Sequence, residues 1–492
     1  VVDGDEVSKS LISYMGRINY AYDDRYLLTL TFRNDGSSVL APGHKWHSYP
    51  AVSAGWNISA ENFTQDFFDK ANISNLKLRA GFGQTSNQSV DAYSSLGLVS
   101  NGNGQDAPAG IIKYNFGPSI VTGYSLSSLP NPNLDWEYTK TINVGLDFGI
   151  LGNRITGSLD YYRQHTNNIL YRVGIPPTSG ISSNSFVTNV GEMENKGWEF
   201  SVSSMNFESK GGFSWSTDLN LFFNRNKLLA LSNGVTQDIG NQLFVGHSMT
   251  SIYDYNKLGI WQKEEAAEAA VYNSSPGQLK LEDHSGPEGK PDNIIDANDR
   301  YVIGNADAKL QGGMTNRFAY KNFDLSFVLY ARFGGLLISQ LHQPTGTYLT
   351  QMNGDRNQIK VDYWTPNNPT NWFPFPGNTL SPVTSAFTTL AYYDASFVKV
   401  RSINLGYTFG NDLLRKASIR SARIYATIDN VAILFSPYYR LTGVDPVGTG
   451  TGDQSVGGVG NIRTDNEDNN MITVSSAPPP ARTLIIGLNL SF

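Results

Sequence analysis

The chain has 492 residues, of which only 16% are charged and 12% aromatic, and it contains no cysteine. That length exceeds what one ordinary core uses, so several domains or one large barrel is expected. Soluble domains carry about a quarter charged residues, and a net charge of −6 offers no basic stripe to nucleic acid. The missing cysteines exclude disulfide scaffolds and cysteine metal sites. No stretch reaches the roughly 18 consecutive apolar residues of a membrane helix. The start, Val1-Val2-Asp3-Gly4-Asp5, is polar and is not a signal peptide, since no basic segment precedes a hydrophobic run. A strand pattern begins almost at once, which reads as the later part of a longer chain.

The predicted elements are strands. Leu11–Tyr22 puts Tyr14, Ile18, Tyr20 and Tyr22 on one face and Arg17 and Asn19 on the other, because successive strand side chains alternate. Asp23-Asp24 makes a tight turn. Residues 25–33 alternate again, with Tyr26, Leu28, Leu30 and Phe32 opposite Thr29, Thr31 and Arg33; two such runs around a short turn read as a hairpin. Strands at 49–58 and 76–84 flank a connection carrying a short amphipathic helix over 61–71. A polar stretch, 85–133, precedes a run in which Ile142, Val144, Leu146 and Phe148 alternate with Thr141, Asn143, Gly145 and Asp147. The turn Leu151-Gly152-Asn153 leads to a strand at 155–163. Strands at 197–205 and 213–224 are joined through Lys210-Gly211-Gly212. The longest connection, 226–310, precedes a hairpin of 312–320 and 323–332. A second long loop, 334–394, leads to strands at 397–409 and 420–429. The terminal run, 481–492, places Leu484, Ile486, Leu488, Leu490 and Phe492 on one face, opposite Thr483, Ile485, Gly487, Asn489 and Ser491.

Roughly thirteen strands result, most near the 9–11 residues of a tilted membrane strand. Their connections alternate short and long, as tight periplasmic turns and long outside loops would. The polar face carries Asn, Asp, Thr, Ser and Arg, which suits a water-filled lumen and not a dry core. The expected fold is all-β, a transmembrane antiparallel β-barrel with hydrocarbon facing lipid. An odd number of strands cannot close an antiparallel sheet. The largest plugged barrels have about 22 strands, so roughly nine more, and a plug, are expected ahead of Val1.

Several motifs also resemble a family. They are Gly16-Arg17-Ile18-Asn19-Tyr20, Asp24-Arg25-Tyr26-Leu27-Leu28-Thr29, Arg33-Asn34-Asp35-Gly36-Ser37-Ser38, Tyr49-Pro50 and Gly55-Trp56. Further along come Asn189-Val190-Gly191, Lys196-Gly197-Trp198-Glu199, Asp299-Arg300, Val302-Ile303-Gly304, Tyr438 and Val444-Asp445-Pro446. In this order, over most of the chain, they resemble SusC/RagA-type TonB-dependent transporters. The resemblance implies a multi-pass barrel of the Bacteroidota outer membrane, capped on its outside loops by a SusD-like surface lipoprotein. It also implies energy from the TonB complex acting on a plug that these residues do not include. The expected cargo is an oligosaccharide or oligopeptide too large for porins. The alternatives are a passive barrel or adhesin platform, a siderophore-type receptor, and a soluble glycan-binding β protein.

No catalytic residues are expected. The sequence has no Gly-x-Ser-x-Gly elbow, Walker loop, dinucleotide-binding glycine pattern or His-Glu-x-x-His. Its six histidines, His44, His47, His165, His247, His284 and His342, are scattered. At Asp283, Ser285, Asp296 and Asp299 the resemblance implies a calcium-binding loop like that of an EF-hand. Residues 286–291 interrupt its spacing, so an ordinary acidic loop is the alternative to Ca2+ there. Trp372, Phe373, Phe375, Tyr438 and Tyr439 lie in proline-stiffened loops and offer flat faces for sugar rings or peptides. The alternative for each is packing between loops or against the lid protein.

Overall fold

The computed structural model describes residues 7–100, 113–175, 177–179, 185–231, 234–286, 290–342, 361–376, 388–410, 419–447, 450–451, 472–474 and 480–492. Thirteen long strands form one antiparallel sheet in which sequence neighbours are spatial neighbours throughout. They are β1 (Leu11–Tyr22), β2 (Tyr26–Ser37), β3 (Trp46–Asn57), β4 (Ile73–Asn87), β5 (Glu137–Ile150), β6 (Ile155–Asn167) and β7 (Glu192–Glu208). Then come β8 (Phe213–Ala230), β9 (Leu310–Tyr320), β10 (Phe323–Phe333), β11 (Phe397–Thr408), β12 (Ser421–Phe435) and β13 (Thr483–Ser491). The thirteen strands expected from the alternation are all present. Most run further than expected, because ladder hydrogen bonds continue into polar residues such as Asn34 and Asp35, which pair with Tyr14 and Ser13. Among the described residues no helix is long and apolar enough to cross a membrane.

By backbone contacts the chain divides into two units, residues 1–198 with 226–236, and residues 199–225 with 237–492. In the first, one face of the sheet carries Tyr20, Leu30, Val52, Phe82 and Ile142, all exposed. Register places Leu30 opposite Val52, Val52 opposite Phe82, and Phe82 opposite Ile142. The opposite face carries Arg17, Thr31, Ser53, Arg79 and Asn143. In the second unit Leu325, Leu405, Ile424, Leu484, Ile486 and Leu488 are exposed, while Asp324, Asn404, Arg423 and Asn489 occupy the other face. Contiguous apolar surface of this kind marks a non-aqueous contact. Polar side chains on this face are paired: Asn316 is buried there, its Oδ1 accepting from Trp215 Nε1 at 2.9 Å and from Thr217 Oγ1 at 2.7 Å. Those donors make its burial tolerable.

Turn chemistry follows backbone need. Asp23 and Asp24 both take positive φ, 52° and 51°, as do Leu151, Gly152 and Asn153, matching the strand twist that tight hairpins require. Aromatic rings crowd the tight-turn ends: Tyr22 meets Tyr26 at 6.4 Å, Phe207 meets Phe213 at 5.8 Å and Phe323 meets Tyr407 at 4.8 Å. The expected helix at 61–71 is shorter, an α-helix over Gln65–Ala71 after a 3-10 turn at Ile58–Ala60. The long connections hold structure of their own. Val39, Leu40, Tyr49, Val90, Leu134 and Trp136 form a loop core in the first unit, and three further clusters lie in the second.

On the polar face, one arrangement occurs in each unit. Arg79 of β4 donates from Nε and Nη2 to Asp147 of β5, both at 2.8 Å, and from Nη2 to Asp160 of β6 at 3.0 Å. It crosses Gly145, where a Cβ would lie 2.3 Å from Asp160 Oδ1 and 2.7 Å from Arg79 Nη2. Arg423 of β12 likewise reaches Asp324 of β10, with Nε at 3.0 Å and Nη2 at 2.5 Å, and meets Asn404 Oδ1 of β11 at 3.0 Å. It crosses Gly406, where a Cβ would lie 2.3 Å from Arg423 Nη2. A missing side chain on the middle strand lets a bidentate guanidinium tie the two outer ones.

Gly145→Val and Gly406→Val should therefore displace their arginines and destabilise the sheet by about 1–3 kcal/mol. Gly16→Ala, with nothing within 4 Å of its Cβ, should be near neutral. Denaturant unfolding of the detergent-solubilised protein checks the contrast; equal losses at all three sites would refute the crossing role.

Candidate functional site

The two aromatic loop segments converge on a histidine. In the first, Trp364 donates its backbone N–H to Phe373 O at 2.9 Å, and Phe373 returns one to Asp362 O at 3.2 Å. This short parallel bridge sets Phe373, 0% exposed, into a core with Tyr255, Ile260, Leu279, Leu281, Trp364 and Leu390. The second forms a helix over Pro437–Thr442. Ser436 caps it by accepting from Tyr439 N at 3.1 Å, proline occupies the first turn, and Gly443 ends it at φ 74°, as such termini favour. That helix buries Tyr438, 1% exposed.

Between them stands His342, fully buried after the strand Leu336–Ser339. Its ring lies 6.4 Å from Trp372, 6.1 Å from Phe373, 5.3 Å from Tyr393 and 5.9 Å from Tyr438. Ser339 Oγ lies 2.6 Å from His342 Nδ1 and 2.8 Å from Tyr438 Oη. Ser339 is itself 0% exposed, so the trio holds loops together and presents no nucleophile to a substrate. His342 Nε2 has no hydrogen-bond partner among the described residues. Burial pushes the imidazole pKa down to about 4.

Phe373 and Tyr438 are thus buried in two separate loop cores, and Trp372 is half-buried against that of Phe373. Phe375 and Tyr439, 45% and 43% exposed, are the aromatic faces that remain open, with Tyr363 at 44%. Gly277, at φ 92°, fits beneath Trp364 and Phe375, where a Cβ would lie 2.7 Å and 3.0 Å from their side chains. Sequence reasoning named the aromatics and missed His342 and Ser339. Nothing in the spacing marks them, since Tyr438 lies 99 residues from Ser339.

The acidic loop is closed by its own backbone. Asp299, 0% exposed, accepts from His284 N at 2.9 Å, Ser285 N at 3.1 Å and Asp296 N at 2.7 Å. Asp296 caps Asn298 N at 2.7 Å, and Asp283 accepts from Asn293 N at 2.7 Å. The structure brings Asp283, Ser285, Asp296 and Asp299 into one loop, with the three carboxylates accepting from backbone amides and Ser285 contributing one of those donors. Among the described residues no group of three or more His, Asp or Glu converges as a metal site; residues 287–289 lie outside them.

Other residues singled out in the sequence tie loops to strands. Asn189 Nδ2 donates to Asp135 O at 2.7 Å and Asn168 O at 3.1 Å, while its Oδ1 accepts from Asp135 N at 2.7 Å. Asp445 pairs with the buried Lys399 of β11 at 2.8 Å and accepts from Val447 N at 2.9 Å. Buried Asp254, pushed up to about 7 by burial, takes a hydrogen bond from Tyr392 Oη at 2.5 Å.

Between pH 6.5 and 4 an unfolded loop binds a proton that folded His342 refuses, so the loop core weakens as pH falls through this window and is at full strength above it. Using about 1.4 kcal/mol per pKa unit, the effect is on the order of 3 kcal/mol. Asp254 has the opposite sign, losing stabilisation as pH rises towards 7, so the comparison needed is with His342→Gln. Trp fluorescence followed by acid titration should show a transition that flattens in His342→Gln; an unchanged profile would remove His342 from the core's energetics.

The family described as TonB dependent receptor-like, beta-barrel matches residues 4–431. The chain is 33% identical over 506 residues to TonB-dependent receptor P26 of Formosa agariphila, covering 100% of this chain and 47% of that protein. It is 32% identical over 454 residues to TonB-dependent receptor SusC of Bacteroides thetaiotaomicron, covering 89% of this chain and 41% of SusC. It therefore spans about half the length of the curated relatives it matches. The fold is similar to the RagAB peptide importer in its open-open state, with TM-score 0.74 and 22% identity over 98% of this chain and 47% of that one. With the motifs and the thirteen-strand sheet agreeing, the chain belongs to the TonB-dependent receptor-like β-barrel family.

Proposed function

We propose that this chain supplies thirteen strands and the outer loops of a TonB-dependent importer in a bacterial outer membrane. The observation carrying the reading is the apolar face that continues from strand to strand while arginine and carboxylate line the other, as lipid outside and water inside require. Family membership supports transport driven through TonB, and relatives named for SusC and RagAB support a SusD-like surface lipoprotein as partner. The chain works as a passage and binding wall, with a plug and the remaining strands supplied by the rest of a full-length protein. Its cargo is an oligosaccharide or an oligopeptide. Phe375, which packs on Trp364, and Tyr439, which follows the buried Tyr438, are the faces on which that cargo stacks.

In cells carrying the full-length gene, deletion should abolish uptake of labelled glycan oligomers or labelled oligopeptides, and loss of TonB should do the same. Phe375→Ala and Tyr439→Ala should each weaken cargo binding by about 0.5–1.5 kcal/mol, measured by calorimetry on the purified protein. Uptake that persists without TonB would leave a passive barrel in place of the importer. Undiminished affinity in both variants would move the binding wall elsewhere.

A further inference from the structure

The connection between β3 and β4 is built to lie on the apolar side of the sheet. Tyr26 and Trp56 stand opposite each other in register, on the face that carries Leu28 and Leu78. The buried Glu61 carboxylate reaches over to them, Oε1 accepting from Tyr26 Oη at 2.7 Å and from Trp56 Nε1 at 3.0 Å, with Arg25 at 3.5 Å. Thr64 Oγ1 closes the turn onto Ile58 O and Glu61 O, both at 2.9 Å, and Asn72 ends the helix Gln65–Ala71 at φ 53°. Phe68 is buried beneath. The next tight turn joins on, Leu151 N donating to Asn72 O at 2.7 Å. This anchored piece leaves two large rings outside, Phe63 at 73% and Phe67 at 64% exposed, among the exposed polar residues Asn62, Gln65, Asp66, Asp69 and Lys70, and Leu151 of the adjoining turn is 51% exposed.

We propose that residues 58–72 form a foot in the interfacial layer of the bilayer at the tight-turn end of the sheet, with Phe63 and Phe67 inserted at the headgroup–acyl boundary. The occupant is lipid because the surface continues the apolar face on which Tyr26 and Trp56 already stand. Phe63 just before the helix, and Phe67 on it beside Asp66, Asp69 and Lys70, give the mixed character of an interfacial segment, rings down and charges at headgroup level. A foot pinned through Glu61 would fix the depth at which β2, β3 and β4 cross. The inference rests on the outer-membrane reading above.

The test is site-directed spin labelling of the full-length protein in phosphatidylethanolamine–phosphatidylglycerol vesicles, using Phe63→Cys, Phe67→Cys, Asp24→Cys and Leu30→Cys; this chain has no cysteine of its own. Labels at 63 and 67 should collide with oxygen in preference to a water-soluble nickel chelate several-fold more than the label at 24, and less than the label at 30. Labels at 63 and 67 as open to nickel as that at 24, with 30 in lipid, would overturn the foot and leave the barrel standing. A label at 30 open to nickel would instead overturn the membrane reading itself. Labels at 63 and 67 that are shielded in cells but open in vesicles would assign the surface to a protein, and the foot would again fall.

Discussion

The two-residue period of an extended chain is the constraint on which this structure depends. A strand sends alternate side chains to opposite faces, and pairing at fixed register carries that segregation to its neighbour. Leu30, Val52, Phe82 and Ile142 align because three ladders keep step. A slip of one residue in any of them would exchange hydrocarbon for arginine. The ladder also absorbs backbone polar groups, which a non-aqueous surrounding would leave unsatisfied.

The polar face could have been a loose array of hydrated side chains. In places it is instead cross-braced, and the brace depends on absent atoms. Arg79 and Arg423 each span from one strand across a glycine to a carboxylate beyond it. A guanidinium is suited to this, being planar, always charged and able to bind a carboxylate with two donors. The apolar face has a counterpart in Asn316, which is accommodated by donors from Trp215 and Thr217.

The loops obey different rules. They build small cores of their own, with Trp136 and Leu134 in one unit and Phe373 and Trp364 in the other, and they pair several of their buried polar groups. Asp299 meets three amides, Asn189 ties residues 135 and 168, and Asp445 neutralises Lys399. Several motif residues thus have a structural reason for their chemistry: a short polar side chain can replace a backbone partner where no ladder continues. Burial divides the loop aromatics, with Phe373 and Tyr438 shaping the loops and Phe375 and Tyr439 facing outward.

By itself the sequence determined the class of fold, the number and order of strands, the sides of each strand and the tight turns at Asp23-Asp24 and Leu151-Gly152-Asn153. All of these depend on residues a few positions apart, where alternation and left-handed backbone preference act. Only the tertiary structure decided which loop aromatics are walls and which are faces, that His342 and Ser339 join segments remote in sequence, that Gly145 and Gly406 lie under arginines, and that Glu61 folds its connection onto the apolar side. Those outcomes depend on which distant segments meet. A residue's own neighbours in sequence carry no signal of that, because burial and hydrogen-bond partnership are properties of the meeting and not of the segment.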